Sequence, residues 1–166
     1  LFLERRRAVA LTLAAGHIRQ ASYDASEVFG LRAVHGEVAG YADSSRITEA
    51  ALKRAAETAR LAVGDGGGQM APPPARTNRR LYTDADPIAE AGFAAKIDTL
   101  REIDAFARAL DPRVVQVTAS IAASHQEIEI LRPDGLRISD IRPMSRLNIS
   151  IIMEEGGRRE SGMMGG

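Results

Sequence analysis

The chain has no cysteine and no tryptophan among its 166 residues, and aromatics make up only 4%. Without cysteine there is no disulfide framework and no thiolate metal site. An excess of basic charge is also missing. Lys+Arg and Asp+Glu both number 22, for a formal net charge of zero, which removes the usual signature of a nucleic-acid binder. No apolar run approaches the ~20 residues that a membrane span requires, and no signal peptide is visible. The glycine cluster after residue 63 is no phosphate loop. Gly64-x-Gly66 lacks the third glycine of the dinucleotide spacing, no Gly-Lys-Ser/Thr follows, and the cluster trails a helix instead of joining a strand to one. A Gly-x-Ser-x-Gly elbow and a His-Glu-x-x-His zinc helix are absent too.

What remains is 45% hydrophobic, enough for one domain with a core of Ala, Val, Ile and Leu. Residues 1–43 read as an antiparallel meander. Val9, Leu11 and Leu13 alternate with Ala10, Thr12 and Ala14. Ala15-Gly16 marks a turn, strands follow at His17–Tyr23 and Val28–Val34, and His35-Gly36-Glu37 turns into Val38–Ala42. Ser44 or Ser45 is the expected N-cap of a helix with an apolar face of Ile47, Ala51, Ala55, Ala59 and Ala62. Glu49 and Lys53 pair along it at i,i+4, and Gly64 ends it. Residues 64–80, glycine-rich and then Pro72-Pro73-Pro74, read as an internal linker. Asp86-Pro87 starts a short turn.

A second helix is predicted over 92–110. Ile97, Leu100, Ile103, Ala107 and Leu110 form its stripe, Asp104 pairs with Arg108, and Asp111-Pro112 stops it. The rest is β again. Val115, Val117, Ala119 and Ile121 alternate in one strand, and Glu127–Leu131 is the next. Pro133-Asp134-Gly135 makes a hairpin turn. Leu136–Ile141 returns, and Pro143 interrupts before Leu147–Met153. Strands and helices in separate runs predict an α+β fold, with antiparallel β-meanders flanking two helices packed on the sheet.

The search for chemistry turns up few candidates. Of the three histidines, His17 is unremarkable and His35 sits in a tight turn. His125, Glu127 and Glu129 share one strand face and could converge on a metal. The stronger reading makes them a wet face opposite Ile128 and Ile130. Asp98, Glu102 and Asp104 read as a solvated helix face. Arg158, Arg159 and Glu160 could grip an anion, but they read more simply as a charged strand exit that can pair with Glu154 and Glu155.

Five segments in order carry a resemblance: Phe29–Asp43, Arg113–Ser120, Pro133–Gly135, Asp140–Pro143 and Met153–Glu160. Together they resemble the N-terminal domain of the TldD/PmbA proteins, once called modulators of DNA gyrase and now regarded as peptidases. Val117-Thr118-Ala119-Ser120 and Asp140-Ile141-Arg142-Pro143 lean toward the TldD branch. The resemblance implies a cytoplasmic zinc metallopeptidase that cleaves unfolded peptides, paired as a heterodimer with a PmbA (TldE)-type subunit. The family's roles include maturing a peptide antibiotic and degrading an antitoxin.

The family's zinc motif, His-Glu-x-x-x-His, lies in its C-terminal domain, where the Glu acts as base and zinc activates water. Those residues have no counterpart here. No catalytic, cofactor-binding or metal residue is therefore expected within this chain, and the zinc belongs to the full-length parent. Residues 1–166 are expected to form a single TldD/PmbA-like N-terminal domain that serves as scaffold and substrate cleft and is inactive alone. Both ends read as cut: Leu1 falls inside a strand, and 156–166 reads as the start of a connector in which Met163 and Met164 replace the family's small residues. The alternatives are a non-catalytic protein-interaction module or the PmbA-type partner. Neither nucleic acid nor membrane is an expected partner.

Overall fold

The computed structural model describes residues 1–64 and 81–166. The linker read at 64–80 lies, apart from Gly64, outside the described residues. The described elements are six strands and two helices: β1 (Phe2–Ala14), β2 (His17–His35), β3 (Val38–Ser44), α1 (Glu49–Val63), α2 (Phe93–Leu110), β4 (Val114–Leu131), β5 (Arg137–Glu155) and β6 (Arg158–Gly165). The strands form one antiparallel sheet in the order β3-β2-β1-β4-β5-β6, compatible with the α+β class.

Three sequence expectations need correction. The strands read at His17–Tyr23 and Val28–Val34 are one strand, β2. Residues 24–27 contain neither glycine nor proline, and β1 runs alongside. The two strands read between Val114 and Leu131 are likewise one, β4, whose odd-numbered residues Val117, Ala119, Ala123 and His125 stay buried along its length. Pro143 does not interrupt β5. β6 reaches back along β5 only as far as Asn148, so Pro143 stands where β5 is an outer strand and a missing N–H leaves no ladder bond unmade.

The tail is the largest difference. Residues read as a connector form β6, a strand paired with β5 from Glu155↔Arg158 to Asn148↔Gly165. Gly156 (φ 59°) and Gly157 (φ 81°) make the turn between them. Two successive left-handed residues suit a two-residue hairpin whose twist matches its strands.

The β1–β4 join is long-range. Leu1 and Leu131 exchange two hydrogen bonds of 2.8 Å, and Ala15 donates to the Val117 carbonyl at 3.2 Å. Equal numbers of residues separate these bonds on the two strands, so one register holds throughout and sets Arg7 opposite His125.

Contacts divide the chain into two compact units. The first comprises Leu1–Arg6, Ser26–Thr83 and Gln126–Ile141. In it Phe29, Ala51 and Ala55 are buried together, with Leu3, Leu31 and Ile47 packed against them. Thr48, not Ser44 or Ser45, caps α1. Its Oγ1 accepts from the Ala51 N–H at 3.2 Å, while Ser44 closes β3. Gly64 ends the helix as expected, and Lys53 pairs with Glu49 at 2.6 Å. The alanine stripe lets α1 approach β3 closely. A Cβ built at Gly40 would lie 2.4 Å from the Ala59 carbonyl oxygen. On β2, the Tyr41 ring lies over Gly30, where a Cβ would meet the Tyr41 hydroxyl at 2.5 Å.

The second unit comprises Arg7–Ala25, Asp84–His125 and Arg142–Gly166. Its core is Leu11, Leu13, Leu100 and Ala119, with Ile97, Ile103, Leu147 and Ile149 packed around it. Helix α2 supplies Leu100 and Ala107 as expected, but also buries Lys96. Leu110, expected in the buried stripe, is 68% exposed: it is the last residue of α2.

Candidate functional site

His125 is not on a wet face. It is only 5% exposed, because it continues the odd-numbered buried row of β4. Its Nδ1 lies 3.3 Å from Arg7 Nη2, which also donates to Asp86 Oδ2 at 2.7 Å. Asp86 in turn holds the expected Asp-Pro turn, its Oδ1 accepting from the N–H groups of Ile88 and Ala89. Burial acts to raise the Asp86 carboxyl pKa, but those two N–H groups and the Arg7 guanidinium outweigh it and leave it lowered. Lys96 closes the same turn, donating to the carbonyls of Ile88 and Ala91. This network was invisible in the sequence, except that the β4 parity, followed past Ala123, points His125 inward.

The other candidates separate. His17 is exposed at the start of β2, and His35 stands opposite Val38 at the β2–β3 turn. Glu127 is exposed and Glu129 pairs with Arg137. Asp98 pairs with Arg101 at 3.3 Å and Asp104 with Arg108 at 3.1 Å. Arg159 pairs with Glu154 at 2.7 Å, and Arg158 with Glu160 at 2.6 Å. Among the described residues no three His, Cys, Asp or Glu side chains could hold a metal, and His125 turns a ring nitrogen toward a guanidinium. These residues do not fit a zinc ion.

Arg113 ties three elements together. It bonds Asp111 through Nε and Nη2 and Glu155 through Nη1 at 3.0 Å, and its carbonyl accepts from Glu154 N–H at 2.9 Å. Side-chain and backbone hydrogen bonds from Arg113 lower the Asp111 carboxyl from 3.8 to about 2. A depressed carboxyl stabilises the fold above its ordinary pKa and loses that contribution as pH falls through the folded value. The expected result is an NMR titration of the Asp111 carboxyl centred at about 2, moving back toward the ordinary range in Arg113→Ala. A midpoint near 3.8 in the unmodified chain would disprove the bridge.

The second unit carries an apolar groove of about 460 Å³ between α2 and β5. Ile103, Phe106 and Leu110 line the helix side, and Ile149 and Ile151 the strand side, with Glu102 at the margin. Phe106 is 66% exposed. The groove can hold apolar side chains, with Thr99 and Glu102 as its polar lining.

A model described as PmbA/TldA metallopeptidase domain 1 matches residues 1–63, and one described as PmbA/TldA metallopeptidase central domain matches residues 86–166. The chain is 35% identical over 153 residues to a metalloprotease TldD homolog of Haemophilus influenzae, covering 90% of this chain and 32% of the relative. It is 33% identical over 150 residues to a homolog of the same name from Buchnera aphidicola, covering 90% and 31%. The chain thus spans about a third of the length of the curated relatives it matches. Among solved structures it is similar to a putative modulator of a DNA gyrase from Thermotoga maritima (TM-score 0.69, 16% identity, 99% of this chain and 37% of that one). It is also similar to TldE from Thermococcus kodakarensis (TM-score 0.68, 16% identity, 99% and 38%).

Proposed function

Because this chain belongs to the PmbA/TldD metallopeptidase family, we propose that it is the scaffold and substrate-cleft part of a TldD-type zinc metallopeptidase acting on unfolded peptides. The observation that carries this reading is the extent of the match: relatives named metalloprotease TldD align along 90% of the chain, yet the chain spans only a third of them. The described residues offer no zinc site. In this reading the catalytic zinc belongs to the longer parent, where it would activate water for peptide hydrolysis. This chain's own contribution is to hold the substrate. A free strand edge supplies backbone hydrogen bonds to an extended peptide, and the adjoining groove receives its side chains. The partner in this reading is a PmbA (TldE)-type subunit in a heterodimer, and the setting is cytoplasmic.

The test compares the 166-residue chain with a longer parent that contains it. The parent is expected to carry about one zinc per chain, to hydrolyse an unstructured fluorogenic peptide, to lose activity on chelation and to regain it with zinc. The 166-residue chain is expected neither to hold zinc nor to hydrolyse the peptide. Stoichiometric zinc in the short chain, lost in His125→Ala, would overturn this assignment.

A further inference from the structure

We propose that Asp86–Lys96 is a latch that opens and closes as one unit while the sheet stays folded, with Arg7 of β1 as its catch. Closed, it starts α2 at Phe93; open, it lets the helix begin about one turn later. The inference lies outside the peptidase reading and stands or falls without it.

Nothing apolar fastens this segment to the core. From Leu81 to Lys96 the only buried residue is Lys96 itself, and neither core cluster draws a member from the stretch. A segment with few buried apolar contacts opens at a lower free energy than the core beside it. What holds it is polar. The Asp86 carboxylate accepts from the N–H groups of Ile88 and Ala89 at 3.0 and 3.2 Å. Glu90 N–H donates to the Asp86 carbonyl at 2.9 Å, and the Glu90 carboxylate accepts from Asp86 N–H at 3.3 Å. The result is one capped helical turn that the chain does not continue.

The start of α2 is weak by itself. Gly92 stands at its N-cap without a side-chain bond, and its first turn carries no acid. That turn closes on Lys96 instead, a cation where the helix dipole favours an anion. Burying the lysine, which is only 6% exposed, adds a desolvation cost. Both penalties are offset by what its ammonium reaches: the Ile88 carbonyl at 3.4 Å and the Ala91 carbonyl. A residue that breaks local rules marks a place shaped by more than local stability. Lys96 joins the helix start to the preceding turn, so that neither leaves while the other stays.

The catch is on the sheet. Arg7 Nη2 donates to Asp86 Oδ2 at 2.7 Å and lies 3.3 Å from Nδ1 of the buried His125. Arg7, His125, the turn and α2 all belong to one compact unit. The β1–β4 ladder fixes Arg7 and His125, so the moving side is the turn. One helical turn beyond Lys96, Leu100 is fully buried with Leu11 and Leu13. Opening therefore stops short of Leu100, and the rest of α2 stays seated.

Native-state hydrogen exchange of the 166-residue chain tests the latch. The amides of Ile88, Ala89, Glu90 and Lys96 are expected to show protection that agrees within about threefold. It should lie at least about a hundredfold below that of Leu100 and Ala107. Asp86→Asn keeps the acceptor for Ile88 and Ala89 but removes the charge that Arg7 holds. It is expected to speed exchange at Ile88, Ala89, Glu90 and Lys96 alike by about tenfold, the loss of one partly exposed charge-assisted bond, and to leave Leu100 within about twofold. Lys96→Met keeps a buried stem, removes the ammonium and relieves the helix dipole. A helix acting alone would gain from that change. The latch instead predicts faster exchange at Ile88, Ala89 and Glu90.

Exchange of these amides at the Leu100 rate would mean no separate unit, and exchange at the rate of a free peptide would mean no closed state. If Asp86→Asn speeds Ile88 and Ala89 but not Lys96, turn and helix open separately. Each of these results overturns the proposal, as does slower exchange of the turn in Lys96→Met.

Discussion

Leu100→Ala is expected to lower the unfolding free energy of the chain by about 2–5 kcal/mol, the cost of truncating a buried leucine when its surroundings relax only in part. Leu100 is fully buried, as is Leu11 of β1, and Leu13 is nearly so; all three share a cluster with Ala119 of β4. Ala119 is already small, and the ladder between β1 and β4 fixes the strand spacing, so the backbone has little room to close the void. α2 is also the only described helix contributing to this cluster. For a chain of this length, about 2–4 °C of melting temperature is lost per kcal/mol. Thermal and urea unfolding give two readings of the effect. A loss under about 1 kcal/mol would mean that the helix resettles and that the cluster does not hold α2 in place. Leu110→Ala makes the contrast. That side chain is exposed at the helix end, and its loss is expected to cost under about 0.5 kcal/mol.

The second large effect is expected at Gly40, in the other compact unit. Alanine there is intrinsically better in a strand than glycine by about 0.5–1 kcal/mol, so a stability gain would follow if only the strand mattered. The added methyl, however, meets the Ala59 carbonyl oxygen at 2.4 Å and the Ala62 Cβ at 2.9 Å. The first is helix backbone, which cannot rotate away as a long side chain can. Either α1 lifts from β3, exposing Ala55 and Ala59, or the strand bends. Overpacking of this kind costs about 1–3 kcal/mol and outweighs the propensity gain. Gly40→Ala is expected to lower the denaturant midpoint and Gly40→Val to lower it further, while Gly162→Ala, with open space around its Cβ, is neutral or mildly stabilising. Equal midpoints for Gly40→Ala and the unmodified chain would show that α1 does not pack this closely.

Much of this fold could be read from residue order, and the reasons are local. Gly64 ends α1 at φ 73°, a backbone conformation that glycine takes without the strain a Cβ would bring. Pro133-Asp134-Gly135 turns where expected, with the Asp134 carboxylate accepting from Leu136 N–H at 3.1 Å. The α2 boundaries follow from its apolar stripe and from Asp111-Pro112. What escaped the sequence was set by neighbours. β2 continues through Asp24–Glu27 and β4 through Ala122–Gln126 because adjacent strands hold them extended, a context that overrides the residues' own preference. Arg158–Gly165 looks like a flexible exit, but Gly156-Gly157 fold it back on β5. Thr48 caps α1 because β3 runs on through Ser44, beyond where the strand was expected to end. Arg7, Asp86 and His125 meet through the β1–β4 register and one turn, and no spacing in the chain announces that.

The β1–β4 join also bears on how the family can vary. Its hydrogen bonds tie Leu1 to Leu131 and Ala15 to Val117, so the sheet is completed across everything that lies between these strands in the chain. Neither family model matches residues 64–85, the stretch between the two helices. Closing a chain loop costs entropy that grows only with the logarithm of its length, about 0.6 kcal/mol for each doubling. The rungs from Leu1 to Leu131 and from Ala15 to Val117 are made by residues outside that stretch, so a change in its length adds to them only this slowly growing closure cost.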